Sequence, residues 1–219
     1  MHVVVNAAMS ADGKLSSRRR EQIAISGPED FDRVDQLRAD CDAVMVGVGT
    51  VLADDPSLTV EDADRRAGRR ERGDPSNPAR IVADSHVRTP PEATVLDGRA
   101  ETYLLVSRAA PTDFVEQMEE AGAYVLAAGE DRVDLTTALG KLEGEGIETL
   151  LVEGGGELIF GLVEEGLVDE LSVFVGPTLI GGRDAPTLAD GDGFTEGFPE
   201  LDLESVQRLD DGVLLTWSV

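Results

Sequence analysis

Lys14 is one of only two lysines in a chain of 219 residues that carries 44 Asp and Glu, and it sits in "SADGK" directly after an apolar run. A lysine ammonium is a compact cation suited to a phosphate or a reacting oxygen, though an ordinary surface role is equally open. A second feature is "LLVEGGGELIFG", where an apolar run ends in Glu153, passes through Gly154, Gly155 and Gly156, and enters a helix-like pattern at Glu157. Residues without a Cβ let backbone N–H groups close on an anion at a helix start. A carboxylate just before them can accept hydrogen bonds from amino or hydroxyl groups. The pattern is neither G-x-G-x-x-G nor a Gly-Lys-Ser/Thr loop, and a plain tight turn is the competing reading.

A second glycine-rich turn, "MVGVGTVLADDPSLTV", also follows an apolar run. Thr50 and Asp54 lie four apart there, so a short helix would present both on one face. An N-cap role for Thr50 and a helix-end role for Asp54 are the alternatives. Two such turns at strand ends could line the crevice where open sheets hold nucleotides. Arg38 falls near a helix end, as an anion contact or as a cation compensating the helix dipole. His86 could act as an acid or base, but its turn reads as exposed. With only His2 and His86 and no G-x-S-x-G, a Ser-His-Asp triad has no support. Cys41 is the sole cysteine, which leaves neither an intrachain disulfide nor a cysteine cluster for metal.

The elements that must position these residues alternate. Val3 to Met9 reads as a buried strand. A helix follows from "SGPEDFDRVDQLRADC", with Ser26 as cap, Pro28 in the first turn, and Phe31, Val34, Leu37 and Cys41 at helical spacing. Strands are predicted at "DAVMVG", "ARIVADS", "TYLLVS", "AYVLAAG" and Thr149–Val152. Helices are predicted at "PTDFVEQMEEAG", "LTTALGKLEGEG" and Gly156–Glu164. Beyond Asp169 three strands come without helices between them, which predicts antiparallel additions to a mainly parallel α/β sheet. Residues 61–78, polar and rich in Gly, Pro and charge, are expected to form a mobile loop within a single domain spanning 1–219.

The net charge of −25 disfavours nucleic acid and anionic membranes as partners. Acidity with so little lysine resembles the proteins of salt-accumulating halophilic archaea, whose carboxylates keep a surface hydrated when salt screens charge. The amino terminus lacks the pattern of a signal peptide, and no apolar run reaches membrane-span length, so a cytoplasmic protein is expected.

In order, "NAAMSADGK", "AVMVGVGTVLADDPSLTV", "ARIVADS", "LLVEGGGELI", "GLVDEL" and "GPTLIGG" resemble the riboflavin-biosynthesis reductase family, and in particular its archaeal single-domain branch. The resemblance implies a dihydrofolate reductase-like fold, a homodimer, and reduction of the ribosyl group of a pyrimidine ribose phosphate with NADPH, some members also using NADH. It assigns Thr50, Asp54, Ser85, Gly154, Gly155, Gly156 and Glu157 to the cofactor. Arg38, Leu58, Lys14 and Glu153 go to the substrate, the last two also to catalysis. The zinc deaminase fused to bacterial relatives has no counterpart motif here. Glu61 departs from the family, where a basic residue often stands, and Arg65 or Arg66 is the candidate replacement. Two rival readings are a related reductase acting on a pterin or other heterocycle and a non-catalytic nucleotide-binding module.

Overall fold

Strands covered on both faces need no polar alternation, and the central strands here read as continuous apolar runs for that reason. The computed structural model describes residues 1–21 and 23–219. Its strands are β1 (His2–Ser10), β2 (Ala43–Gly47), β3 (Ala79–Ala83), β4 (Thr102–Val106), β5 (Tyr124–Ala127), β6 (Thr149–Gly154), β7 (Glu170–Gly176), β8 (Asp202–Leu209) and β9 (Gly212–Ser218). Its helices are α1 (Pro28–Asp40), α2 (Val48–Asp54), α3 (Ala63–Arg72), α4 (Thr112–Glu120), α5 (Leu135–Gly144) and α6 (Gly156–Glu164). The nine-stranded sheet has the order β5-β4-β3-β2-β6-β1-β7-β9-β8. It is parallel from β2 through β5 and between β1 and β7, and antiparallel where β9 pairs with β7 and β8. This is the mainly parallel α/β architecture with an antiparallel C-terminal end that the alternation of elements predicts.

Two compact units make up the chain: Met1 with Asp35–Leu151, and His2–Val34 with Val152–Val219. In the first, Met45, Ile81, Leu104 and Leu105 are fully buried along β2, β3 and β4, and Met118, Ala138 and Leu142 of α4 and α5 are buried as well. Asp42 sets the start of β6 by accepting from the N–H of Glu148 at 2.9 Å and from the N–H and hydroxyl of Thr149, both at 2.8 Å.

The segment expected as a polar loop over 61–78 contains α3, and its packing explains the difference. Asp62 caps the helix start through Asp64 N–H and Arg65 N–H, and Gly73 ends it in the left-handed conformation. Its docking face carries arginine where an amphipathic helix would carry apolar residues. Buried Arg69 donates to the carbonyls of Ala39 (2.9 Å), Cys41 (2.7 Å) and Pro75 (2.8 Å), and Arg72 donates to Ala39 at 3.0 Å. The carbonyls of Ala39 and Cys41 lie at and just past the end of α1, where helices leave acceptors unpaired.

In the second unit Val3, Val5 and Ala7 of β1 and Val173 and Phe174 of β7 are buried, and Ile25, Phe174 and Leu214 form one apolar cluster. The start of α1 is capped from a distance. Asp210, in the β8–β9 turn, accepts from Glu29 N–H at 3.2 Å and Asp30 N–H at 3.0 Å. Ser26 was the expected cap. Phe31 does not serve a buried face either; it is 61% exposed. Asp30 turns inward and pairs with Arg33 at 2.7 Å, and Arg33 also donates to Asn6 at 2.7 Å and Ser172 at 3.2 Å. Polar pairing, invisible to an apolar count, seats this end of the helix.

Candidate active site

In the first unit, α2 starts as soon as β2 ends. Its N-cap is Gly47, which offers no side-chain hydrogen bond, so Thr50 is not the cap and lies inside the first turn. Asp54 closes the same helix, four residues on, and desolvation by its surroundings pushes its carboxyl up. After the left-handed Asp55 the chain runs inward through Leu58, Thr59 and Val60, each at most 2% exposed. Leu58 is itself left-handed, with φ of 52°, a conformation rare for a branched apolar side chain.

This segment is tied to α1. Arg38 donates to Thr59 O at 3.1 Å, which sets Arg38 beside Leu58 in the chain. Asp35 accepts from Glu61 N–H at 2.5 Å, Asp62 N–H at 3.2 Å and Arg65 at 2.9 Å. Burial pushes the Asp35 carboxyl up, but these N–H groups and the Arg65 cation outweigh it and hold it below the usual range. Of the two arginines considered as replacements at position 61, Arg65 is thus committed to Asp35. Arg66 instead lines a cavity of about 370 Å³ with Thr59, Val60, Glu61, Asn77 and Arg99, its guanidinium donating to the carbonyls of Val60 and Glu61.

Ser85 follows β3. Its hydroxyl accepts from Val133 N–H at 3.1 Å, and its carbonyl accepts from the Ser107 hydroxyl at 2.8 Å. The preceding Asp84 is fully buried; one oxygen accepts from the N–H and hydroxyl of Thr89, and the other accepts no hydrogen bond and faces Arg88 Nε at 3.9 Å. His86 is exposed.

In the second unit, Lys14 is held at both its main chain and its ammonium. Its N–H donates to Ser10 Oγ at 2.9 Å, its Nζ donates to Ala185 O at 3.1 Å, and it forms an antiparallel bridge with Thr187. Asp12 organises the turn that presents it. The carboxylate accepts from the Ser10 hydroxyl at 2.6 Å, Ile180 N–H at 3.0 Å and Gly181 N–H at 2.7 Å. The Ser10 bond and then these N–H groups bring its carboxyl down to about 2.

Half-buried Glu153 lies in β6, followed by buried Gly154. Gly155 is the N-cap of α6 with φ of 96°, a conformation that favours glycine, and it contributes no side-chain cap to the first-turn N–H groups. A Cβ on Gly156 would fall 2.6 Å from Thr187 O, so its bareness serves a close chain crossing. Glu157 is exposed on the first helical turn. Thr50 with Asp54, and Arg38 with the Leu58–Thr59 segment, are therefore brought together in the first unit, and Lys14 is joined to the Gly155–Gly156 turn in the second. Asp12, Asp35, Asp84 and Arg33 are supports that sequence reasoning missed. Only Asp12 left a signal, as an acid two residues from Lys14 in a Ser-x-Asp-Gly turn.

Asp12 also makes acid sensitivity predictable. Its pKa is 3.8 in the unfolded reference and about 2 when folded, so the unfolded chain binds the proton more readily and protons favour unfolding. Its contribution is complete above the unfolded value and disappears as pH falls through the folded one. Asp12→Asn is expected to flatten the fall of melting temperature between about pH 4 and pH 2, measured by circular dichroism. An unaltered profile would refute the assignment.

The family model described as the RibD C-terminal domain matches residues 1–215. The chain is 45% identical over 215 residues to the 2,5-diamino-6-ribosylamino-4(3H)-pyrimidinone 5′-phosphate reductase of Archaeoglobus fulgidus, covering 98% of this chain and 96% of that one. It is 46% identical over 203 residues to the protein of the same name from Methanothermobacter thermautotrophicus, covering 93% and 90%. In fold it is similar to a pyrimidine reductase-like protein from Corynebacterium diphtheriae, with a TM-score of 0.85 at 18% identity over 99% of this chain and 91% of that one. The chain belongs to the riboflavin-biosynthesis reductase family, as a RibD C-terminal domain.

Proposed function

We propose that this protein is an NADPH-dependent reductase that converts the ribosyl group of 2,5-diamino-6-ribosylamino-4(3H)-pyrimidinone 5′-phosphate into a ribitylamino group. The observation that carries the reading is near-full-length identity of 45% to an archaeal reductase of that name. Reduction at C1′ of the opened ribose consumes a hydride and a proton, and a bound nicotinamide supplies the hydride.

The chain's own groups fit such a dinucleotide. Both α2 and α6 follow a strand, and both start on a glycine that gives no side-chain cap. Their first-turn N–H groups suit phosphate oxygens. Thr50, Asp54 and Ser85 in the first unit and Gly154, Gly155, Gly156 and Glu157 in the second are assigned to the cofactor. Lys14, Arg38, Leu58 and Glu153 are assigned to the substrate, with Lys14 and Glu153 closest to the chemistry. Lys14 and Arg38 supply positive charge for a ribose phosphate in a chain whose net charge is −25. Glu153 accepts from amino or hydroxyl groups.

The two units are proposed to act as one reductase domain, working in the cytoplasm in high salt; among the described residues no helix is long and apolar enough to cross a membrane. A homodimer is proposed as well, supported by Leu203 and Val206 of β8, which are 57% and 60% exposed. Following reduced-nicotinamide absorbance in concentrated KCl, with NADPH and NADH in parallel, tests the activity. Oxidation should require the pyrimidine ribotide and be faster with NADPH. Cofactor binding without ribotide-dependent oxidation would reduce the protein to a nucleotide-binding module.

A further inference from the structure

We propose that Asp190 is a positioning residue for Lys14, acting through the Ala185–Asp190 segment; this rests on Lys14 serving the substrate. Lys14 leans on that segment twice. Its Nζ donates to Ala185 O at 3.1 Å, and its backbone bridges Thr187 while Leu15 N–H donates to Pro186 O at 2.9 Å. Ala185 is buried at 3% exposure, so the carbonyl that receives the ammonium sits in packed surroundings.

Asp190 gives the segment its shape. Its carboxylate accepts the Thr187 N–H at 3.1 Å and 3.3 Å and the Thr187 hydroxyl in a very short bond. Its own N–H donates to Gly156 O at 3.0 Å. The crossing is tight, since a Cβ on Gly156 would lie 2.6 Å from Thr187 O and 2.7 Å from Asp190 Oδ2. One run of contacts therefore leads from the glycine turn through Asp190 and Thr187 to Lys14. Asp12 holds the chain upstream at Ile180 and Gly181. Without the Asp190 carboxylate, the Thr187 N–H loses its acceptor and the Thr187 hydroxyl keeps only the long contact to Ala189 O at 3.4 Å, so the Ala185 carbonyl is free to shift with the ammonium on it.

Titration calorimetry of the ribotide into protein saturated with NADP⁺, which prevents turnover, tests this without an activity readout. Asp190→Ala should weaken binding about tenfold, the size expected when a part-buried charged hydrogen-bond partner is removed. Thr187→Val should do the same and Thr187→Ser should restore affinity. The decisive comparison is the double variant: Asp190→Ala should add little in a Lys14→Ala background, because both changes remove one interaction. An undiminished effect there, or an unchanged affinity in Asp190→Ala alone, overturns the inference. Unchanged ribotide affinity in Lys14→Ala overturns the assignment of Lys14 itself, and the inference falls with it.

Discussion

Arg80→Ala is expected to destabilise the protein by about 3–5 kcal/mol, the range for breaking a buried ion pair from one side. Arg80 is 0% exposed in the middle of the sheet, with Val44 of β2 and Thr102 of β4 as its register partners. Its guanidinium donates to Val95 O at 2.7 Å and to Asp97 at 2.9 Å. Burial draws the guanidinium's pKa down, and the Asp97 carboxylate opposes that pull. Asp97 in turn sits at about 2: burial raises it, and the N–H and guanidinium of Arg99, with Arg80, lower it further. Alanine would leave a cavity inside the sheet and strip the carbonyl and carboxylate of a charged donor. A methionine at position 80 fills much of the volume without a charge, so Arg80→Met should cost clearly less than alanine. Urea unfolding measures both. The loss should persist in about 2 M KCl, because the Arg80 guanidinium is fully buried and its bond to the Val95 carbonyl is out of reach of salt, whereas exposed pairs are screened. A change within about 1 kcal/mol for alanine, the scale of an exposed pair, would mean that the pair is not load-sharing with the fold.

Arg80 also illustrates what the sequence could and could not disclose. β2, β4 and the start of β6 are legible because a strand buried on both faces needs only an apolar run, and Arg80 reads as a polar interruption in "ARIVADS" that leaves the strand recognisable. The α3 helix is not legible from apolar spacing, because its docking face is Arg69 and Arg72 binding the carbonyls of Ala39 and Cys41. In α1 the expected apolar stripe yields to inward Asp30 and Asp35; Asp30 pairs with Arg33, which reaches Asn6, and Asp35 accepts from the main chain of Glu61 and Asp62. For the proposed site, residue type and setting are what point to Lys14 and the three glycines. The supports were hidden for a physical reason. Asp35 bonds backbone N–H groups 26 and 27 residues away, and backbone groups carry no sequence signature.

Lys14→Ala is expected to lower kcat/KM for the ribotide by roughly a hundredfold or more, since losing a cation from a bound charge pair costs about 2–5 kcal/mol. The fold should tolerate the change. The Lys14 N–H bond to Ser10 and the bridge to Thr187 are main-chain interactions that alanine retains. A melting temperature within a few degrees of the parent therefore accompanies the expected loss. How the loss divides tells what the ammonium does. A rise in KM with kcat intact would mark a group that binds phosphate or hydroxyl equally in the ground and transition states. Equal falls in kcat and kcat/KM would mark one that acts only as hydride arrives at C1′. Lys14→Arg separates charge from shape. The protein uses arginine almost everywhere else, and its other lysine, Lys141, donates to the Ala127 carbonyl at 2.6 Å. Lysine is thus retained at two places where a slender ammonium meets a carbonyl. A planar guanidinium on Ala185 O would carry the charge but not the point geometry. Arginine is expected to recover ribotide affinity in part while leaving kcat depressed. Full recovery by arginine would show that only the charge matters, and would mark Lys14 as a binding group.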